Sequence, residues 1–252
     1  IGRAKRILDD AGLSPGPFGG GATTFHPDPA QCRTMKEHLA RAIVVAGKLG
    51  CPTIRISGGT FHPSNRWLHH PENHTQKALD LFIENTKELV EIAEKARCCI
   101  SPETTQWTII GSVDRMIEFV DRLDSPYVKV DFDPVNHMTA DRIYDSGRWM
   151  RCAIAALGDR IGVIHVKDVI PQDRDLVVHI DEAPMGTGVL DHAALIQATT
   201  VLEPWKTFSL EHVRSRELIK PAYDHIQNVA DRIGHAWSDP RMTRERWLQE
   251  KK

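Results

Sequence analysis

The 252-residue sequence lacks several features that would mark particular classes of protein. No apolar run approaches the roughly 20 residues that a membrane-spanning helix needs, and no signal-peptide pattern opens the chain. Positive charge is not in excess either, because 32 Lys and Arg face 34 Asp and Glu. A near-neutral chain has no long-range positive field that would gather nucleic acid or polyphosphate. We therefore expect a small-molecule partner, with no nucleic acid and no membrane.

Cysteine is also scarce, and its pattern does not suggest a disulfide framework. The five Cys residues are an odd number, and no two of them have C-x-x-C spacing. This usage is typical of a reducing compartment, so we expect a cytoplasmic protein. The adjacent Cys98 and Cys99 are expected to fill a strand rather than to bind a metal.

The chain does contain a repeated alternation of helix and strand patterns. Residues 33–49 and 77–96 carry apolar residues at helical spacing, and a short strand-like run follows each. The same order recurs with helices at 113–122, 141–157 and 189–201. Helices that separate nearly all strands favour a parallel sheet. The length also matches the roughly 250 residues of a single eight-stranded α/β barrel.

The strand ends are spaced as a repeated βαβ unit requires. Ends at 103, 133 and 165 are 30 and 32 residues apart, close to the roughly 30 residues of one unit. With Gly16–Gly21 as an irregular strand and Leu176–Ile180 as a weak one, the sequence predicts seven strands. We therefore predict a TIM (β/α)8 barrel whose first strand precedes Ile1. An open doubly wound sheet is the alternative, but its phosphate-binding fingerprint is missing.

The predicted domain organisation is a single barrel over residues 1–235 with a C-terminal extension at 236–252. No linker, repeat or low-complexity segment divides the chain. The tail after Gly234 is locally basic and contains Trp237 and Trp247. We expect a terminal helix that covers the outside of the barrel, with a subunit contact in a homo-oligomer as the alternative.

Side chains that can bind metals stand at four predicted strand ends, where barrels of this kind place their active sites. They are Glu103, Asp133, His165 and Glu211. Taken singly, a carboxylate there is commonly a solvated loop residue and a histidine commonly a core residue. Together they have no simple structural explanation, because unpaired buried carboxylates are costly. Three carboxylates and one imidazole suit one divalent ion, Mn²⁺ first and Mg²⁺, Co²⁺ or Zn²⁺ as alternatives.

Five short stretches around these positions carry a family resemblance. They are Ser101-Pro102-Glu103, Asp133-Pro134-Val135-Asn136, His165-Val166-Lys167-Asp168, Met185-Gly186-Thr187-Gly188 and Ser209-Leu210-Glu211-His212. In this order and spacing they resemble the xylose isomerase-like barrel superfamily of sugar isomerases and epimerases. The resemblance implies one divalent metal on the four candidate ligands. It also implies that Glu103 and Glu211 flank the sugar and exchange a proton beside its carbonyl, through an enediolate that the metal stabilises.

The chain departs from the pattern of the epimerases at three positions, one of which is the Arg that shortly follows their histidine motif, where this chain has only the displaced Arg174. Those enzymes often carry His three residues after the aspartate, where this chain has Asn136 with His137 beside it. They also carry a second Glu six residues after the first, where this chain has Ile109. The metal centre is therefore better supported than any particular ketose substrate.

Six further residues near the strand ends are candidate substrate contacts. They are His62, Gln106, Trp107, Asn136, His137 and Lys167. Lys167 lies two residues past the histidine ligand and would orient a substrate oxygen, with a rim lysine as the alternative. Gln106 and Trp107 would hydrogen-bond and stack on a sugar ring, unless the Trp only covers the barrel mouth. Arg55 and Asp131 both alternate inward on their strands, so we expect an ion pair between them.

From these residues we predict a divalent-metal-dependent sugar isomerase or epimerase in which Glu103 and Glu211 shuttle the proton. In the alternative, the same proton abstraction expels a leaving group, which would give a keto-sugar dehydratase or a lyase that cleaves a glycoside. A third hypothesis is a non-catalytic sugar-binding or scaffolding subunit that retains the site. The near-neutral charge favours an uncharged sugar over a polyanion as the ligand.

Overall fold

The computed structural model describes residues 1–172, 174 and 176–251. Its α-helices are α1 (Gly2–Asp10), α2 (Pro29–Leu49), α3 (Gln76–Ala96), α4 (Val113–Leu123), α5 (Ser146–Leu157), α6 (His192–Thr199), α7 (Ile219–Arg232) and α8 (Arg244–Glu250). Its strands are β1 (Phe18–Gly19), β2 (Thr53–Ser57), β3 (Cys99–Glu103), β4 (Val130–Phe132), β5 (Ile161–Val166), β6 (Asp168–Gln172), β7 (His179–Ala183) and β8 (Thr207–Leu210). None of these helices is long and apolar enough to cross a membrane.

Local sequence signals explain where the helices begin and end. α3 begins after Thr75, whose hydroxyl accepts a hydrogen bond from the backbone N–H of Ala78, and Ser112 caps α4 in the same way. α3 ends before Arg97, which adopts the left-handed conformation with φ of 56°. Its apolar face is buried in the core, where Phe82 is fully covered. The predicted alternation of helices and strands is confirmed, with some element bounds shifted by a few residues.

Six strands form one parallel sheet in the order β1-β2-β3-β4-β5-β8. Parallel pairing was predicted from the helices between the strands, and it is confirmed. In this register Ser57 pairs with Glu103, and Glu103 pairs with Asp131. Because parallel strands share one carboxyl edge, the polar residues at their ends converge there. Among the described residues the sheet is an incomplete barrel of the predicted α/β type, with β1 and β8 at its edges.

The prediction of a barrel strand at Leu176–Ile180 is wrong. β7 overlaps the end of this run but pairs antiparallel with β6 as a separate hairpin, and β5 pairs directly with β8. Leu176 is 106% exposed and Val177 is 70% exposed, so the first part of the apolar run does not enter a core. The described sheet therefore has six strands rather than seven. The hairpin of β6 and β7 follows β5 at the carboxyl edge of this sheet.

The core lies between the sheet and the helices that surround it. Fully buried aromatic residues come from both layers, with Phe82 and Phe119 from the helices and Phe132 from β4. Near the C-terminus, α8 packs back onto the chain, because its first residue, Arg244, lies 4.4 Å from the ring centroid of Tyr127. The predicted extension at 236–252 thus contains a helix that contacts the segment just before β4.

Candidate metal centre

The four predicted ligands meet at the carboxyl edge of the sheet. Glu103 ends β3, Asp133 follows β4, His165 lies near the end of β5 and Glu211 follows β8. Ligand atoms from these four residues all lie within 4.8 Å of one another. The first three residues are at most 5% exposed. The structure thus brings together side chains that are far apart in sequence, in an arrangement that could hold a metal ion.

The ring of His165 lies between the other candidate ligands and a carboxylate outside this group. Its Nε2 lies 3.0 Å from Oδ1 of Asp131, which is fully buried. Its Nδ1 faces the other three candidate ligands, at 3.2 Å from Glu211 Oε2, 3.5 Å from Asp133 Oδ2 and 3.8 Å from Glu103 Oε1. A carboxylate on the far ring nitrogen is the usual arrangement for a histidine that ligates a metal, because it fixes the ring and the tautomer.

Three buried atoms of the group make no hydrogen bond of acceptable geometry within the described structure: Asp133 Oδ2, His165 Nδ1 and Glu211 Oε2. Lys167 Nζ is a charged neighbour of the two oxygens, at 2.7 Å from Asp133 Oδ2 and 3.1 Å from Glu211 Oε2, and one shared ligand would give all three atoms a partner. Three carboxylates and one imidazole form an oxygen-rich donor set that suits Mg²⁺, Mn²⁺ or Zn²⁺. The residues present therefore fit one divalent ion.

Two cationic side chains reach the same carboxylates. Lys167 Nζ lies 2.7 Å from Asp133 Oδ2 and 3.1 Å from Glu211 Oε2, and its side chain is 3% exposed. Arg55 Nη1 lies 2.8 Å from Glu103 Oε2 and 2.7 Å from Glu211 Oε1. Each glutamate therefore has one oxygen on the guanidinium and the other facing the histidine.

The predicted ion pair between Arg55 and Asp131 is not formed within the part of the chain that the structure describes. Asp131 contacts His165 instead, while Arg55 bridges the two glutamates. The sequence reasoning placed Arg55 in the interior but missed it as a residue of the site. Its only signal was the alternation of β2, which gives the face of the sheet but not the partner.

The groups of the site shift each other's pKa values in opposite directions. Burial raises the pKa of Glu103, against the attraction of His165. Burial also opposes charge on Glu211, but hydrogen bonding and attraction from His165, followed by Lys167, outweigh it and lower the pKa to about 2. For His165, burial acts against the charged ring, yet Asp131 and the other carboxylates raise the pKa to about 12. In the absence of an ion, the imidazolium therefore balances part of the carboxylate charge.

The Asp-Pro-Val-Asn stretch after β4 forms one wall of the site. Asp133 Oδ1 accepts hydrogen bonds from the backbone N–H groups of Val135 at 3.0 Å and Asn136 at 3.3 Å. This turn brings Asn136 Nδ2 to 3.1 Å from Glu103 Oε1, and Lys167 Nζ lies 3.5 Å from Asn136 Oδ1. Of the six predicted substrate contacts, Asn136 and Lys167 thus lie in the site itself.

His137 does not lie with them, and its role as a substrate contact stays a prediction. The residue is 1% exposed, and its ring stacks on Phe132 and Trp149 with centroid distances of 6.3 and 5.6 Å. Its Nε2 lies 3.0 Å from Thr104 Oγ1, and burial lowers its pKa to about 4. Successive residues of the 3₁₀ turn Val135–His137 point to different sides, so this ring enters the layer between β4 and α5.

The other three predicted contacts stand in the loops around the site. Gln106 Nε2 donates a hydrogen bond to the backbone oxygen of Met138 at 3.2 Å and so stabilises the loop that contains Met138. Trp107 is 56% exposed and has its edge toward His69, with centroids 5.7 Å apart. His62 Nδ1 accepts hydrogen bonds from two backbone N–H groups of its own loop. No described contact joins these three side chains to the four candidate ligands, so their role in substrate binding stays a prediction.

The Met-Gly-Thr-Gly stretch is anchored beside the site by Asp168. Its Oδ2 accepts hydrogen bonds from the backbone N–H groups of Gly186 and Gly188, both at 2.9 Å. A Cβ atom at Gly188 would collide with this carboxylate, so the close approach requires glycine. The turn follows β7. In that strand, Oε1 of Glu182 lies 3.7 Å from Lys167 Nζ. The stretch is therefore a structural turn that holds the hairpin next to the candidate metal centre.

Comparison with known proteins agrees with this fold. The family model described as a xylose isomerase-like TIM barrel matches residues 1–229. A curated protein from Escherichia coli strain K12, whose name gives it as an inferred L-ribulose-5-phosphate 3-epimerase, is 23% identical over 218 residues. That match covers 85% of this chain and 68% of the relative.

Two solved structures illustrate the likeness in three dimensions. A xylose isomerase-like TIM barrel protein from Mycobacterium smegmatis in complex with magnesium has a TM-score of 0.67 at 18% identity, covering 91% of this chain and 77% of that one. A 3-keto-D-glucoside 4-epimerase from Escherichia coli has a TM-score of 0.66 at 14% identity, covering 90% and 82%. At these identities the two structures show a shared fold.

Proposed function

The chain belongs to the xylose isomerase-like TIM barrel family, and on that premise we propose that it is a metal-dependent sugar isomerase or epimerase. The observation that carries the proposal is the convergence of four ligand atoms, all within 4.8 Å of one another. Epimerase names among the similar proteins support the reaction class. The magnesium complex of a protein with the same fold supports a divalent ion. We propose Mn²⁺ for this site, with Mg²⁺, Co²⁺ or Zn²⁺ as alternatives.

We propose that Glu103, Asp133, His165 and Glu211 hold this ion. When bound, the ion would act as a Lewis acid on the carbonyl and neighbouring hydroxyl oxygens of the sugar. The arrangement of His165 supports the assignment, because Asp131 Oδ1 lies 3.0 Å from its Nε2 while Nδ1 faces the three carboxylates.

The task of the two glutamates would be to move a proton at the carbon next to the carbonyl. Burial raises the pKa of Glu103, whereas the hydrogen bonds and charges of His165 and Lys167 lower that of Glu211 against the effect of burial. Carboxylates whose pKa values are pushed apart by their surroundings are typical partners in acid–base catalysis. We therefore assign removal and return of the proton to this pair.

Lys167 and Asn136 would orient the sugar beside the proposed metal ligands. Lys167 supplies an ammonium group that is buried among the carboxylates, and Asn136 supplies an amide beside Glu103. Hydrogen bonds from these two side chains to substrate oxygens would decide which carbon faces the glutamates. Their position is what makes them candidates, because both contact the proposed ligands directly.

The proposal is tested by metal content and solvent exchange. Protein purified without chelator should contain about one divalent ion per chain, as measured by elemental mass spectrometry. With a panel of keto-sugars in deuterated water, it should incorporate deuterium into an otherwise intact sugar. Glu211→Gln should lower this exchange by about a hundredfold or more, since it removes a proton-transfer group. The matched control Glu91→Gln changes an exposed glutamate of α3 and should leave metal content and exchange unchanged.

Other outcomes would overturn the proposal in distinct ways. Loss of water or of an aglycone from the substrate would indicate elimination, and hence the dehydratase or lyase alternative. Sugar binding with no exchange at all would indicate a non-catalytic subunit. Absence of a divalent ion, or a Glu211→Gln variant with normal metal content and turnover, would contradict the metal site itself.

A further inference from the structure

A cleft of about 120 Å³ opens beside the candidate metal centre. Lys167 and Glu211 line it next to the proposed ion, so the cleft is continuous with the site. We infer that the outer part of this cleft binds an apolar substituent carried by the sugar, such as the aglycone of a glycoside. The inference rests on the proposed function and names a substrate class for the same site.

The outer walls of the cleft are mostly apolar. They come from the turn after β7, the segment after β8 and the start of α7, and include Pro184, Met185, Val213, Leu218, Pro221 and Ala222. These side chains offer no hydrogen-bond donor. A sugar ring carries hydroxyl groups around its edge, and a hydroxyl buried without a partner costs free energy. The sugar therefore belongs near the carboxylates, and an apolar group fits the outer part.

Charged side chains at the rim are already paired with each other. His212 Nδ1 lies 2.6 Å from Glu182 Oε2, and Arg214 Nη2 lies 4.0 Å from the same oxygen. All three residues line the cleft. A phosphate group would gain the two basic residues but would meet the carboxylate between them. This arrangement favours an uncharged substituent over the phosphate of a sugar phosphate.

The size of the cleft matches a single ring. One water molecule needs only about 10–15 Å³ of such space. The observed 120 Å³ is roughly an order of magnitude larger, enough for a six-membered aromatic ring. Leu218 is 39% exposed, so the cleft opens to solvent on this side and a larger substituent could extend outward.

The test compares two ligands that differ only in the substituent. We would measure the affinities of phenyl β-D-glucopyranoside and methyl β-D-glucopyranoside by ligand-observed NMR for the protein supplemented with Mg²⁺, a diamagnetic ion that leaves the ligand signals sharp. Because a phenyl ring buries far more apolar surface than a methyl group, the phenyl glycoside should bind about tenfold more tightly. Equal affinities, or no binding of either glycoside, would overturn the inference.

A variant pair locates the effect within the cleft. Leu218→Asp places a charge on the outer wall and should reduce the affinity ratio of the two glycosides to about one. The control Leu248→Asp changes a leucine of similar exposure, 41% against 39%, on α8. It should keep the wild-type ratio, and an equal fall in both variants would contradict the assignment. Since the readout is binding, failure here leaves metal content and deuterium exchange as separate tests of the proposed function.

Discussion

Arg55 holds the two glutamates of the candidate metal centre by their outer oxygens. One nitrogen, Nη1, contacts Glu103 Oε2 and Glu211 Oε1, while the other oxygen of each carboxylate faces His165. The guanidinium thereby fixes the separation of the carboxylates proposed to exchange the proton. Its charge also opposes a second cation beside the same carboxylates. We therefore regard Arg55 as a positioning residue that favours catalysis at some cost to metal affinity.

Removing this guanidinium should change metal binding and turnover in opposite directions. For Arg55→Met we expect Mn²⁺ to bind about threefold to tenfold more tightly, because a competing positive charge is lost. We also expect kcat to fall about tenfold to a hundredfold, because the carboxylates lose their fixed separation. Titration calorimetry and the deuterium-exchange assay measure the two effects. Arg122→Met, which removes a guanidinium that bridges Asp80 and Glu118 at the surface, is the matched control.

Two results would contradict this role for Arg55. Weaker Mn²⁺ binding together with a lower kcat would indicate that the guanidinium supports the fold of the site rather than competing with the ion. Unchanged kcat would indicate that the glutamates keep their geometry without it. The surface control should leave both quantities at their wild-type values.

The sequence predicts which side chains reach the site better than it predicts their partners. Glu211 could be placed near Glu103 because the ends of parallel strands share an edge of the sheet. Arg55 could be placed in the interior by alternation, but its contact depends on the register of β2 against β3. His137 follows Asn136 directly, yet the turn that contains both sends only one of them into the site. Local pattern specifies a face, whereas contacts need the three-dimensional path of the backbone.

At the scale of elements, the hairpin of β6 and β7 is what the sequence pattern did not predict. β2 and β5 are buried along almost their whole length, as expected for strands inside a parallel sheet that helices cover. The run Leu176–Ile180 has similar apolar character but begins with exposed residues. Apolar composition alone does not distinguish a strand of the core sheet from an exposed segment of a hairpin. The strand partner of β7 begins two residues after β5, a feature that periodicity does not reveal.

The turn after β7 should be sensitive to a single methyl group. Gly188→Ala would bring a Cβ atom against the Asp168 carboxylate, which accepts hydrogen bonds from Gly186 and Gly188. We expect a loss of about 1–3 kcal/mol in the free energy of unfolding, because this buried carboxylate cannot shift without breaking those bonds. Urea denaturation measures the change.

Gly16→Ala is the matched control for this substitution. Nothing lies within 4 Å of a Cβ atom at Gly16, so its free energy of unfolding should change by less than about 0.5 kcal/mol. Equal stability of Gly188→Ala and the wild type would mean that Asp168 does not fix the turn.

On the scale of the whole molecule, a chain with a net charge of only −2 gathers several buried carboxylates at one edge of its sheet. Without an ion, His165, Lys167 and Arg55 balance that charge. The raised pKa of His165 means that its proton stabilises the ion-free fold fully below its ordinary pKa of 6.5. This contribution is lost only as the pH rises toward about 12. Binding of a divalent ion must displace the same proton, which links metal affinity to pH.

We therefore expect Mn²⁺ affinity to rise as the pH increases from 5 to 8, by up to about tenfold per pH unit. The sign follows from His165, which is protonated across this range in the ion-free protein and must become neutral to ligate. Calorimetry in buffers of different ionisation enthalpy should detect about one proton released per ion at neutral pH. Affinity that is flat from pH 8 to pH 5 would argue against His165 as a ligand.

The hairpin also lies apart from the sheet that positions the candidate metal ligands. Its strands pair only with each other among the described residues, so their length and sequence can change without shifting the register of the six-stranded sheet. The candidate ligands stand on that sheet and at its strand ends, whereas the turn after β7 supplies part of the outer wall of the cleft. Substrate range could therefore diversify in one segment while the reaction chemistry stays fixed in another. Exchanging the hairpin together with the turn after β7 between related barrels would transfer a preference for the substituent and leave the proton chemistry in place.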